Sequence, residues 1–244
     1  MTAMPPTSSA SGSRRYAFES TVEHLATSIR LGVFAAGERL PAERDLAVQL
    51  GVSRSTLREA LDALRAAGLV ATSRGRAGGT VVVPDRVPPG GAPGGAPGAQ
   101  AVTQPGHESL ADLLVFRRVV EPGAAALAAS VTLSGDQRAQ LAQLLDEACH
   151  PTDDAARRVG DSRLHLAIAG LGGSAMLLDA VTRVHGRLRA YLEAIPVLRV
   201  NIQHSDTQHR QIVEAVLRGD ADRARMVMTQ HCDATSALLR GLLA

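Results

Sequence analysis

The sequence predicts a mainly α protein, with an N-terminal winged helix-turn-helix followed by a C-terminal all-α antiparallel helical bundle. Three observations carry that expectation. Leu40 to Val83, LPAERDLAVQLGVSRSTLREALDALRAAGLVATSRGRAGGTVVV, alternates helical periodicity with glycine breaks and ends in two short β-prone runs. Aromatic residues are 2% of the chain while hydrophobic residues are 45%, so the core must be built from Ala, Leu and Val. Such a core favours close-packed helices, because strands usually recruit aromatic and β-branched residues. From residue 108 onward, apolar residues recur at helical spacing in segment after segment.

Taken in order, residues 1–13 are rich in Ser, Pro and Thr and lack a signal-peptide core. They are expected to form a disordered leader of a cytoplasmic protein. Two cysteines, Cys149 and Cys232, with no CxxC pair fit a reducing compartment. No apolar run approaches the roughly 18 residues a membrane span requires. Residues 14–83 make the first domain. Val22, Leu25, Ala26, Ile29 and Val33 predict an amphipathic helix over 20–33. Gly37 and Pro41 break the chain, a short helix over 42–50 ends at Gly51, and Ser53 caps a helix over 54–67 that Gly68 ends. Leu57, Ala60, Leu61 and Leu64 give that last helix its buried face, and Arg54, Arg58 and Arg65 line up beside it. Strands over 70–74 and 79–83 flank a turn at 75–78, with Arg74 and Arg76 at its tip.

An arginine stripe on a helix is most often a solvated face. Here it starts at a capped N-terminus after a turn, where a recognition helix offers its reading residues to the major groove, and the ribbon tip adds two more cations. Charge follows the same division. Residues 1–83 hold ten Arg against seven acids, and residues 107–244 hold fifteen Arg against sixteen acids. A mildly basic first domain beside a near-neutral second one suits a nucleic-acid module joined to something else.

These motifs (LPAER, GVSRSTLREAL, a helix ending in GLV, a Gly-containing wing) resemble the winged helix-turn-helix of GntR-family bacterial regulators, over Phe18 to Val83. The resemblance implies double-stranded DNA as partner, a palindromic operator read by a homodimer, and contacts from Arg44, Arg54, Ser55, Thr56, Arg58, Arg74 and Arg76. Arg54 and Arg58 are the candidates for bidentate guanine contacts, while Arg44, Ser55 and Thr56 would grip phosphates and fix register.

Residues 84–106, PDRVPPGGAPGGAPGAQAVTQPG, have almost no side chains to bury and are expected to be a linker. Residues 107–244 read as six helices, with breaks near 133–135, 151, 172–173, 196 and 219. Asp161 and His165, four apart, share a face with Leu164 and Ile168. His209 shares one with Ile212, Val213 and Val216, and His231 one with Ala224, Val227 and Leu238. A single inward histidine is usually a hydrogen-bonded core residue. Four ligand-type residues from three helices also fit a metal site, because a buried charge must be paired or bind metal. His204 and Cys232 are weaker candidates, and Cys232 should face away from His231. In the helix over 109–130, Arg117 and Glu121 interrupt the apolar stripe. They read either as an i, i+4 pair or as an interior guanidinium that meets a carboxylate effector.

RRVVEPGAAALAA, DSRLHLAIA and HRQIVEAVLRGDADRARMVMTQH resemble the helical ligand-binding (FCD) domain of the FadR-type branch of the same family, in its metal-containing subset. The resemblance implies a divalent ion on Asp161, His165, His209 and His231, zinc first, with nickel or another transition metal also compatible. It implies an organic acid chelated to that ion with Arg117 assisting, and no enzyme activity. Two features depart from the family pattern: the linker is longer and richer in Pro and Gly, and Gly172-Gly173-Ser174 stands where an Asn is common. The expected function is a ligand-responsive DNA-binding regulator, with repression as the expected mode. Its rivals are a DNA-binding protein whose second domain only dimerises, and a metal-dependent hydrolase, against which no inward acid stands out as a general base.

Overall fold

The computed structural model describes residues 17–73, 78–84 and 109–243. The leader at 1–13, Arg74 and Arg76 at the wing tip, His107, and the linker beyond Pro84 lie outside the described residues.

The N-terminal part opens with α1 (Ala17–Arg30), whose Phe18, Val22, Leu25, Ala26 and Ile29 are buried. This helix begins and ends three residues earlier than the periodicity predicts. Gly32 takes φ 74° and the Val33 N–H returns to the Ser28 carbonyl at 2.9 Å, which ends the helix. Val33 therefore stays exposed instead of continuing the apolar stripe. Helix α2 (Glu43–Leu50) ends at Gly51 in the left-handed region, and the Ser53 hydroxyl accepts the Thr56 N–H to start α3 (Arg54–Ala66). Leu57, Ala60, Leu61 and Leu64 are fully buried, as their spacing predicts. Strands β1 (Val70–Ser73) and β2 (Gly79–Val82) pair antiparallel from Val70↔Val82 to Ser73↔Gly79. Residues 38–40 add two hydrogen bonds to the other edge of β2. This is a winged helix-turn-helix.

Six helices follow: α4 (Leu110–Ala129), α5 (Gly135–Cys149), α6 (Asp154–Leu171), α7 (Ala175–Glu193), α8 (Arg199–Arg218) and α9 (Ala221–Leu243). Side-chain caps at Ser109, Ser134, Asp153 and Ser174 start four of them, Ser134 in a full capping box with Gln137. Helix α4 lies at the centre, against α6, α7, α8 and α9. Alanines at 124, 125, 128 and 129 let its neighbours close in. That central position turns Arg117 and Glu121 inward, both 1% exposed.

The two halves also touch directly. Helix α1 packs along α9, and Leu238 of α9 belongs to the same apolar cluster as the N-terminal core. The approach is close at Gly241, where a Cβ would stand 2.9 Å from the Glu23 Cα. Arg30 donates to the carbonyls of Gly241 and Arg240 at 2.9 and 3.0 Å, and Arg240 donates to Glu23 at 2.6 Å. On α8, the His204 Nδ1 stands 3.1 Å from an oxygen of Glu19, a carboxylate with 0% exposure, and Leu198 and Val200 pack on the N-terminal core. Among the described residues, the two halves therefore meet through α1, α8 and α9.

The hydrogen bond to Glu19 raises the pKa of His204, against partial burial, with the Glu19 and Glu59 charges adding to the rise. A raised folded-state pKa means stability that is fully present below the unfolded value of about 6.5 and is lost as pH rises through the folded value. The stability difference between wild type and His204→Gln should therefore be largest below about pH 6 and fade toward alkaline pH in urea titrations. A difference that does not change with pH would contradict the pairing.

Candidate functional site

The DNA-facing candidates lie together on the first helical turns of α3 and on α2. Arg54, Ser55 and Arg58 are exposed and Thr56 is half-buried. The Ser55 and Thr56 hydroxyls each lie 2.8 Å from the Ser53 Oγ, so the capping residue also orders their side chains. Arg58 donates through Nε to Glu43 at 2.7 Å, and Arg44 pairs with its neighbour Asp45 at 3.1 Å. Arg65, the third member of the expected stripe, is turned back onto Asp62. The exposed cations are thus gathered at the amino end of α3, where free backbone N–H groups add positive potential.

Inside the helical part, Asp161 and His165 of α6 meet His209 of α8 and His231 of α9. One ligand atom from each lies within 4.8 Å of the others. The His165 and His209 Nε2 atoms are 3.3 Å apart, and His209 Nε2 is 3.3 Å from Asp161 Oδ1. The histidines are buried and Asp161 is partly so. Burial pushes the pKa of His165 and of His231 down, which favours the neutral ring that a metal requires. His231 is held from behind, with Nδ1 3.2 Å from the Gln208 side-chain oxygen. Three imidazoles and one carboxylate at this separation fit a divalent transition metal.

Glu121 sits behind this donor set. Its carboxylate lies 2.5 Å from His165 Nδ1 and 3.2 Å from His185 Nε2, and it accepts from Arg117 Nε at 2.8 Å. Burial alone would raise its pKa, but Arg117, His165 and His185 hold the carboxyl well below the usual range. Glu121 is thus the inward acid that the sequence did not mark as a candidate base. The Arg117 guanidinium and the His165 hydrogen bond make it a poor proton acceptor. Cys232 keeps out of the donor set, as expected from its rotation, although it is buried with Sγ 4.0 Å from Glu121. Burial pushes the thiol up, so it stays neutral and does not offer a thiolate ligand.

A cavity of about 120 Å³ opens beside the four donors, lined by Arg117, Asp161, His209 and His231 at one end. Arg117 is 1% exposed, and its Nη1 has no hydrogen-bond partner. A buried guanidinium nitrogen without a partner is costly and can take an anionic oxygen. The i, i+4 reading of Arg117 is borne out by its Nε–Glu121 contact, and the residue also lines the cavity.

Sequence reasoning missed His185, Glu19 and the role of His204. His185 shares a face with Val181, Val184 and Leu188, the same cue that exposed His209. No local signal marks Glu19, whose partner stands 185 residues away.

A winged helix-turn-helix joined to a helical domain is the architecture of a DNA-binding transcription regulator. Residues 18–82 match the gntR family of bacterial regulatory proteins, and residues 112–234 match the FCD domain. The chain is 34% identical over 212 residues to a regulatory protein of the L-lactate dehydrogenase operon of Escherichia coli, covering 80% of this chain and 76% of that one. It is 29% identical to the transcriptional regulator RmpR of Mycobacterium gastri, over 87% of this chain and 76% of that one. It is 26% identical to the transcriptional regulator LutR of Bacillus subtilis, over 87% of this chain and 96% of that one. Among solved structures, Escherichia coli McbR/YncC aligns with a TM-score of 0.48 at 20% identity, over 91% of this chain and 96% of that one. The chain belongs to the GntR family of bacterial transcription regulators, with an FCD-type second domain. No helix among the described residues is long and apolar enough to cross a membrane.

Proposed function

We propose that this regulator holds a divalent metal ion, zinc first, on Asp161, His165, His209 and His231, and that a small organic acid binding beside the ion changes its affinity for a palindromic operator. The observation that carries this reading is the convergence of four ligand atoms within 4.8 Å next to a cavity that Arg117, whose Nη1 has no partner, also lines. The bound ion supplies a fixed positive centre with open positions that a carboxylate can take. Glu121 positions the site by accepting a hydrogen bond from His165 Nδ1, which turns Nε2 toward the donors, while its other oxygen anchors Arg117. The name of the E. coli relative, which refers to an L-lactate dehydrogenase operon, supports an acid as signal.

The signal has a short route to the DNA. One face of α8 lines the cavity with Asn201, Ile202, Ser205 and His209. The same helix carries His204 and Val200 against the N-terminal half. An acid that shifts α8 shifts the seat of α1, and with it α3. Across a homodimer this changes the separation of two recognition helices, which must match the half-site spacing of the operator. Exposed Val115, Phe116 and Val119 on α4 support a second copy as the dimer partner. Repression remains the reading for the DNA-bound state. The FCD part acts as more than a dimerisation device, because pure dimerisation leaves the inward polar cluster without a role.

Two measurements test this. By competition with a metallochromic chelator, His209→Ala should abolish tight metal binding, and Glu121→Gln should weaken it about 10–100-fold. Unchanged metal content in both variants would refute the site. In operator titrations, Arg54→Ala should lose about 1–3 kcal/mol of specific affinity, and an unchanged affinity would remove Arg54 from the reading set.

A further inference from the structure

Arg39 is an exposed cation of the N-terminal half that the set on α2 and α3 does not include. It sits on the short segment that pairs with the free edge of β2, where it forms a bridge with Val81. On either side of it, the Leu40 N–H donates to the Thr80 carbonyl at 2.9 Å, and the Val82 N–H donates to the Glu38 carbonyl at 2.9 Å. Side chains alternate between the two faces of such a ladder. Leu40 and Val82 are buried on the core face, so Arg39 stands on the outer face with Ala71, Ser73, Gly79 and Val81.

Two features bear on what Arg39 does there. Its side chain runs across Gly79: a Cβ on that glycine would stand 3.4, 3.1 and 3.6 Å from the Arg39 Cγ, Cδ and Nε. A side chain at position 79 would displace it, whereas glycine leaves it room to lie extended along the ribbon. The second feature is its lack of a partner. Among the described residues the Arg39 guanidinium has no hydrogen bond or ion pair. By contrast, Arg58 leans on Glu43 and Arg44 on Asp45. The other outer-face residues carry no charge, so no acid on that face competes for the guanidinium.

The direction of the side chain matters as well. From Val81 to Gly79 it points toward the Ser73↔Gly79 pair, the far end of the described ribbon. The chain leaves Arg39 toward the same end and soon enters α2, whose first turn carries Arg44. The contact between Arg58 and Glu43 sets the amino end of α3 against that turn. Arg39 therefore extends the basic surface of α2 and α3 toward the ribbon.

Resting on DNA binding by this half of the chain, we infer that Arg39 grips a phosphate of the DNA backbone, on the flank of the bases that α3 faces, and that Gly79 holds it extended toward that phosphate. A guanidinium on the ribbon, away from α3, fixes the register of the domain and carries no sequence information. It suits a phosphate because its fork can donate two parallel hydrogen bonds to the oxygens.

The test is fluorescence anisotropy on the full chain across a salt series, with two labelled duplexes: one of random sequence, and one selected by the wild-type protein from a random library. In Arg39→Ala, the slope of log affinity against log salt should fall by about 0.9 per bound subunit on both duplexes. A rise from about 50 to about 200 mM salt should then cost the variant about 3.5-fold less affinity per subunit than wild type. Arg39→Lys should keep the wild-type slope. Gly79→Ala should weaken binding in the wild-type background and add nothing beside Arg39→Ala. An unchanged slope in Arg39→Ala overturns the contact. So does a loss confined to the selected duplex at constant slope, which marks a base contact, or a slope that falls as far in Arg39→Lys as in Arg39→Ala. An equal cost of Gly79→Ala in both backgrounds overturns the part given to Gly79.

Discussion

One buried carboxylate sets the geometry of the helical half. Glu121 is 1% exposed and reaches Arg117 on its own helix, His165 on α6 and His185 on α7. A lone carboxylate in such an interior would be expensive, and so would the Arg117 guanidinium. Together they are tolerable, and they fix the relative rotation of three helices. The cost of removing either partner exceeds the worth of the pair, because the survivor is left buried and unpaired. The arrangement also leaves one guanidinium nitrogen without a partner and holds one imidazole among the proposed donors, so a single ionic contact bears on both halves of the proposed site.

The inner site and the DNA-reading surface are joined by packed helices. Helix α8 carries His209 into the donor set and His204 to the fully buried Glu19 of α1. Helix α9 carries His231 to the same donors, then runs on to Leu238 and Gly241, where it touches α1 at backbone distance. Two helices that each hold a proposed ligand thus also hold the N-terminal half. Packed contacts of this kind shift between discrete arrangements rather than deform continuously, which suits a switch.

Local chemistry was legible in the sequence wherever it depends on neighbours in the chain. Gly51, Ser53 and Gly68 marked the helix-turn-helix boundaries, and the i, i+4 spacing of Asp161 and His165 predicted a shared face that the fold brings to His209 and His231. The end of α1 was misplaced because Gly32 closes the helix while Val33 still fits the apolar period. What stayed hidden depends on distant partners. The Arg117–Glu121 pair can be read from spacing alone, but its contacts with His165 and His185 lie 44 and 64 residues away along the chain. Glu19 looks like any surface acid in the first turn of a helix until α8 is laid against it. Cys232 shows the limit of rotation arguments: it is turned from the donor set, yet it still touches the carboxylate behind it.

The central claim is that occupancy of the inner site is felt by the DNA-binding half through α8. Hydrogen–deuterium exchange on full-length, zinc-loaded protein, with and without a saturating small carboxylic acid such as lactate, tests it most directly. The account predicts that amide protection changes together in residues 198–209 and along α1. A response confined to α6 and α7, with α1 unchanged, would contradict it.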